Sequence, residues 1–131
     1  MKSVRERFSK QERLCSVKTI YSLFEEGNIF YTTLFKIVWN ISTEPQPFPA
    51  RVAFSVSKKG FRLAVIRNLI KRRMREAYRK NKSHLYNHLA EQNRNISLFI
   101  ILRTNIIPDY LSVEKSMKDA INKLIVYTAD K

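Results

Sequence analysis

"RVAFSVSKKGFRLAVIRNLIKRRMREAYRKNK", residues 51–82, changes from a period of two to a period near four within one stretch. Residues 51–57 alternate, with Val52, Phe54 and Val56 on one side and Arg51, Ala53, Ser55 and Ser57 on the other, the pattern of a half-buried strand. Placed on a helix, residues 65–82 put Ile66, Ile70, Met74 and Ala77 on one face, with Leu69 and Tyr78 flanking them. Arg67, Lys71, Arg75 and Arg79 form a ridge on the opposite face, with Asn68, Arg72 and Lys82 beside it. Arg73 falls on the apolar side and must run its stem along the edge. "NISLFIILR" (95–103) follows, too continuously apolar for an edge strand. Strand, helix and strand together read as a β-α-β unit with at least one parallel pair.

Outward from this unit, residues 9–26 are expected to be helical. Leu14, Val17, Tyr21 and Phe24 recur at spacings of three and four, Ser9 can cap the start and Gly27 can close the end. In residues 32–41, Phe35, Ile37, Trp39 and Ile41 alternate with Lys36 and Asn40, a second half-buried strand, and a short extra strand fits at 28–31. "STEPQPFP" (42–49) holds three prolines and must be a loop. A last helix runs from about Ser112 to Tyr127, its buried stripe being Val113, Met117, Ala120, Ile121 and Leu124. The order is α-β-β-α-β-α with the optional strand, read as a single domain over 1–131 with flexible ends at 1–8 and 128–131.

Charge narrows the function. The 131 residues carry a net charge of +14. Residues 58–82 hold eleven basic groups against the single acid Glu76. Solvated helix faces mix signs, because like charges one turn apart repel by ~0.2–0.5 kcal/mol per pair. A face this one-sided needs a polyanion, and nucleic acid is the first candidate. A membrane surface is disfavoured, because the apolar side of 66–78 is narrow and the flanking strands need it as cover. The lone Cys15 excludes a disulfide framework, no apolar run is long enough to span a bilayer, and the first residues lack the apolar core of a signal peptide. A cytoplasmic protein is expected.

No residue set suggests protein-borne chemistry. His84 and His88, one turn apart, lack a third ligand for zinc. With only Gly27 and Gly60 there is no glycine-rich phosphate loop, and no Ser-His-Asp arrangement is visible. Glu25, Glu26 and Asp109 read as helix-end caps. Phe24, Phe30, Tyr31 and Phe35 cluster where the first helix meets the first strand; core packing takes at least half of them, and the remainder could stack unpaired bases.

Beyond charge, the segment "SVSKKGFRLAVIRNLIKRRMREAYR" resembles the signature of the protein subunit of bacterial ribonuclease P: Lys58-Lys59 at a strand end, then Ala64-Val65, Arg67-Asn68, Lys71-Arg72 and Arg75-Glu76. The resemblance extends weakly from "ERLCSVKTIYSLFEEG" through the last helix. It implies an α/β (α+β) two-layer sandwich like the second domain of ribosomal protein S-five, with a left-handed β-α-β crossover. It further implies an RNA partner that is itself the catalyst and a precursor tRNA substrate whose 5′ leader is removed. Mg²⁺ would be held mainly by RNA and none by the protein alone, with no obligate protein partner. By the same resemblance Arg67, Asn68, Lys71, Arg72, Arg75 and Arg79 would face the RNA subunit. Phe24, Lys36, Ser55, Ser57, Lys58 and Lys59 would form the leader groove. This chain departs from many members at "GFRL" (60–63), one residue longer, and at Ile20, where many carry Phe; at Val38 some members carry an aromatic. The alternative from another class is a ribosomal or RNA-chaperone module with no role in cleavage.

Overall fold

The computed structural model describes residues 8–43 and 45–129. After a 3-10 turn at Lys10–Glu12 come α1 (Val17–Glu26), β1 (Asn28–Tyr31), β2 (Phe35–Ser42), β3 (Ala50–Ser55), α2 (Ala64–Glu91), β4 (Asn95–Leu102) and α3 (Tyr110–Thr128). The strands form one sheet in the order β1-β2-β4-β3. β1 pairs with β2 and β2 with β4 antiparallel, whereas β3 and β4 run parallel. The expected β-α-β unit and the extra strand at 28–31 are both present. β4 is central, as its continuous apolar run requires: Ile96, Leu98 and Ile100 have no exposed surface.

Alternation assigns the two faces of the sheet. Phe35, Ile37 and Trp39 of β2, Ala50 and Val52 of β3 and Ile96, Leu98, Ile100 and Leu102 of β4 form one core with α2 and α3. Ile70, Met74 and Ala77 of α2 are fully buried there, as are Val113, Met117 and Ala120 of α3. Leu14, Leu23 and Val38 form a smaller cluster on the other face, with Ile20, Ala53, Phe99 and Ile101 partly buried against it. α1 therefore lies across a face that it covers only in part. Gly27 lets it do so: a Cβ there would collide with the Leu23 carbonyl and come within 2.8 Å of Val38 Cγ1.

Four expectations need correction. The helix over 9–26 is split, because the backbone at 13–14 pairs with β3 instead: Arg13 bridges Val52, and Leu14 N–H donates to the Val52 carbonyl at 2.9 Å. The cap of α1 is accordingly Ser16, whose Oγ accepts from Thr19 N–H, and Val17 and Tyr21 face solvent while Leu23 is buried. α2 continues beyond residue 82 to Glu91, burying Leu85, Tyr86 and Leu89, and ends where Asn93 turns left-handed (φ 55°). Lys82 is not on the cationic face. It is buried and pairs with Glu12, Nζ to Oε2 at 2.5 Å.

That pair is the centre of a polar knot. Glu12 Oε2 also accepts from the Tyr86 hydroxyl at 2.6 Å, Glu12 Oε1 accepts from Ser9 N–H at 2.8 Å, and the Tyr78 hydroxyl donates to that of Tyr86 at 3.1 Å. Burial pushes both tyrosines far above the ordinary phenol range, so they stay protonated donors at neutral pH. Phe8 adds edge-on contacts to Phe54 and Tyr78. Of the ends expected to be flexible, residues 1–7 and 130–131 lie outside the described residues. Phe8 and the buried Thr128 are packed in place, the Thr128 carbonyl accepting from Arg94 Nη1.

Candidate nucleic-acid interface

The cationic face of α2 begins at its first turn. Asn68 and Arg72 are exposed, and Arg67, Lys71 and Arg75 are half-buried along the same side. Arg67 turns inward: Nη1 donates to the carbonyls of Phe61 and Arg62 at 2.7 and 2.8 Å. It thereby braces the loop that carries Lys58, Lys59 and Arg62, while Phe61 anchors that loop in the core. Arg79 is also engaged, making a bidentate pair with Glu76 at 3.1 and 2.7 Å. This hydrogen bond holds the Glu76 carboxyl below the usual carboxylate range. Arg73 behaves as its place on the helix requires, reaching back so that Nη1 donates to the Pro108 carbonyl at 2.6 Å.

Beside this face runs a cleft. One part, of about 330 Å³, lies between Arg13–Cys15, Val52–Phe54, Lys71 and Arg75, and the adjoining part is bordered by Arg13, Arg72, Arg75, Glu76 and Arg79. Desolvation first, then the nearby charges of Arg13 and Arg72, make the Arg75 guanidinium less basic than usual. Burial and neighbouring like charge thus act on Arg75 together, and the one acid at the cleft, Glu76, is engaged by Arg79. Sequence reasoning missed Arg13, because a continuous helix over 9–26 aims it elsewhere. The parallel bridge to Val52 and the Glu12–Lys82 pair deliver it to the cleft.

The open face of the sheet carries the other group. Paired residues on neighbouring strands project from the same face, so the register places Lys36, Ile101 and Ser55 in one row and Val38, Phe99 and Ala53 in the next. Phe24 is about half exposed (52%) with its ring centroid 5.1 Å from that of Phe99, beside both rows. It is not a core residue, unlike Phe30 and Phe35, which are buried. Ser57, Lys58 and Lys59 follow in an exposed turn, where Ser57 Oγ accepts from Lys59 N–H at 3.0 Å. Of the departures, Ile20 is half-buried on the underside of α1 and Val38 of β2 is buried in the cluster that α1 covers. On the far flank of α1 a cavity of about 300 Å³ is bordered by Lys18, Ser22, Asn40 and Ser97, also unforeseen.

Elsewhere, Asp109 caps α3, Oδ1 accepting from Ser112 N–H at 3.0 Å, and hydrogen bonding from the Ser112 side chain first, then from its backbone, holds the Asp109 carboxyl below the usual carboxylate range. Glu25 and Glu26 are no caps: they are exposed in the last turn of α1, the end of the helix dipole that disfavours carboxylates. His84 borders a cavity with Asn81, Lys118 and Asn122, away from the cationic cleft. Among the described residues no three His, Cys, Asp or Glu side chains gather as metal ligands, and no helix is long and apolar enough to cross a membrane.

A family model described as Ribonuclease P matches residues 8–125. The ribonuclease P protein component of Porphyromonas gingivalis is 34% identical over 116 residues, covering 88% of this chain and 85% of that protein. That of Petrotoga mobilis is 40% identical over 76 residues, 58% of this chain and 61% of the relative. In fold, the chain resembles the Staphylococcus aureus RNase P protein (TM-score 0.69, 24% identity, 88% and 95% of the two chains). The Thermotoga maritima RNase P protein is similar (TM-score 0.68, 20% identity, 86% and 96%). The match over nearly the whole described chain makes this protein a member of the ribonuclease P protein family.

Proposed function

We propose that this chain is the RNA-binding subunit of a ribonuclease P holoenzyme and assists removal of the 5′ leader from precursor tRNA. The observation that carries the reading is the cleft that Arg13, Lys71, Arg72 and Arg75 border together, four cations gathered from two separate segments of the chain at one concave surface, where a polyanion would offset their mutual repulsion.

In this reading the side of α2 with Arg67, Asn68, Lys71, Arg72, Arg75 and Arg79 lies against phosphates of the RNA subunit. Arg67 acts chiefly by holding the 58–62 loop, and Arg79 carries a charge already shared with Glu76. The leader lies on the open face of the sheet, with Phe24 available to a base, Lys36, Lys58 and Lys59 to phosphates, and Ser55 and Ser57 to polar edges. We assign the hydrolytic groups and the Mg²⁺ ions to the RNA and none to the protein. The protein's contribution is to neutralise charge where two RNAs must approach and to fix the position of the single strand. The reading places the protein in the cytoplasm, where the transcripts are.

Reconstitution tests it. Added to a bacterial ribonuclease P RNA, the protein should restore cleavage of precursor tRNA at Mg²⁺ concentrations too low for the RNA alone. Nuclease-treated protein should cleave nothing. Absence of stimulation, together with co-purification of ribosomal RNA only, would instead support a plain RNA-binding module of the same fold.

A further inference from the structure

The open face of the sheet ends, at its outer edge, in a stacked pair that the groove residues above do not include. Tyr31, the last residue of β1, is half exposed (49%), and the Arg103 guanidinium carbon sits 4.7 Å from its ring centroid. Arg103 is fixed from behind. Its Nη1 donates to the Thr32 carbonyl at 2.7 Å and its backbone N–H to the Leu34 carbonyl at 2.7 Å. Lys123 of α3 brings a second cation, Nζ donating to the Tyr31 carbonyl at 3.1 Å. Both cations meet neutral carbonyls, and among the described residues no carboxylate pairs with either.

The register gives this pair its direction. Tyr31 is opposite Lys36, Lys36 is opposite Ile101, and Ile101 is opposite Ser55. Tyr31 therefore ends a row that starts at Ser55 and projects from the same face. With strands ~4.8 Å apart, the two ends stand ~14 Å from each other. That span exceeds the ~3.4 Å repeat of stacked bases several times, so more than one base fits along it.

A half-exposed ring backed by a tethered guanidinium, next to uncompensated positive charge, suits an unpaired base and its phosphate. We propose that Tyr31 and Arg103 form a second base-stacking position for the single-stranded leader, reached by a strand that crosses the sheet along the Ser55–Lys36 row. The inference rests on the ribonuclease P reading. It adds a residue outside the groove already described and sets the direction of the strand.

The test uses holoenzyme reconstituted with a bacterial ribonuclease P RNA, and precursors of one tRNA whose leaders lengthen by one nucleotide at a time. Tyr31→Ala should weaken precursor binding by about 5- to 150-fold, the equivalent of the ~1–3 kcal/mol a stacked base supplies, once the leader is long enough to arrive. Shorter leaders and mature tRNA should bind as they do to wild type, and Tyr31→Trp should retain the long-leader affinity. An abasic nucleotide at the matching leader position should weaken wild type but not Tyr31→Ala further. Equal affinities of Tyr31→Ala and wild type at every length would overturn the proposal, as would weakening that includes leaderless tRNA. Failure of the functional reading is distinguishable: there, wild-type holoenzyme would itself bind precursor no better than mature tRNA.

Discussion

Replacing Lys82 by Met removes the charge from the polar knot while keeping a stem of similar shape in place. The side chains of Lys82 and Glu12 are each 1% exposed, so the Glu12 carboxylate would be left in the interior with only the Tyr86 hydroxyl and Ser9 N–H as donors. Breaking one side of a buried ion pair costs ~3–5 kcal/mol, and the two surviving donors favour the lower end. A loss of ~3 kcal/mol is a large share of the ~5–15 kcal/mol that holds a domain together. It should appear as a fall in melting temperature of roughly 10 °C or more. Trp39, the only tryptophan and buried in the main core, reports global unfolding by fluorescence in urea at constant sulfate. Adding Glu12→Gln to Lys82→Met removes the stranded charge and should restore at least half the loss. A cost below ~1 kcal/mol for Lys82→Met, or a double variant no more stable than the single one, would refute the reasoning. Because Glu12 precedes Arg13, Lys82→Met should also reduce the salt dependence of RNA binding by about one phosphate contact, a slope change of ~0.9.

The same slope separates the cations of α2: Arg75→Ala and Lys71→Ala should each flatten log Kd against log salt by ~0.9, Arg79→Ala by less, and Glu76→Gln should steepen it by removing the acid that shares the Arg79 charge. Equal slopes for Arg75→Ala and Arg79→Ala would show that the Glu76 pair does not persist in solution. Phe24→Ala, half exposed against Phe99, should lower precursor affinity by ~1–3 kcal/mol while leaving mature tRNA binding intact, and a matching loss for both tRNAs would assign the ring to packing. Asp109, whose carboxyl is lowered by its bond to Ser112, favours the fold above the ordinary carboxylate pKa and loses that contribution as pH falls through its own. Asp109→Asn should therefore flatten the acid side of the melting-temperature profile; an unchanged profile would remove the cap from the account.

Local pattern carried most of the architecture. The alternation in 51–57 and the apolar stripe of α2 need only neighbouring residues to be read, and so do the run at 95–103 and the five buried positions of α3. Each is a period imposed by one element burying one face. The α2 signature likewise located the cationic side, because Arg67, Lys71 and Arg75 lie on one ridge at any helix register.

Other features depended on partners distant in the chain. Ser9 to Phe24 has a helical period, yet Leu14 N–H gains more from the Val52 carbonyl at the sheet edge than from continuing a helix, and so α1 begins at Ser16. Lys82 follows the cationic spacing of α2, but Glu12, seventy positions earlier, draws it inside. The same displaced segment delivers Arg13 to the cleft, and the order β1-β2-β4-β3 aligns Tyr31 with Lys36, Ile101 and Ser55. The sequence by itself determined which face each regular element buries and where positive charge concentrates, because both follow from spacing along one helix or strand. Only the tertiary structure decided which charges remain available and how the open face is laid out, because ion pairing and strand register are set by residues far apart in sequence.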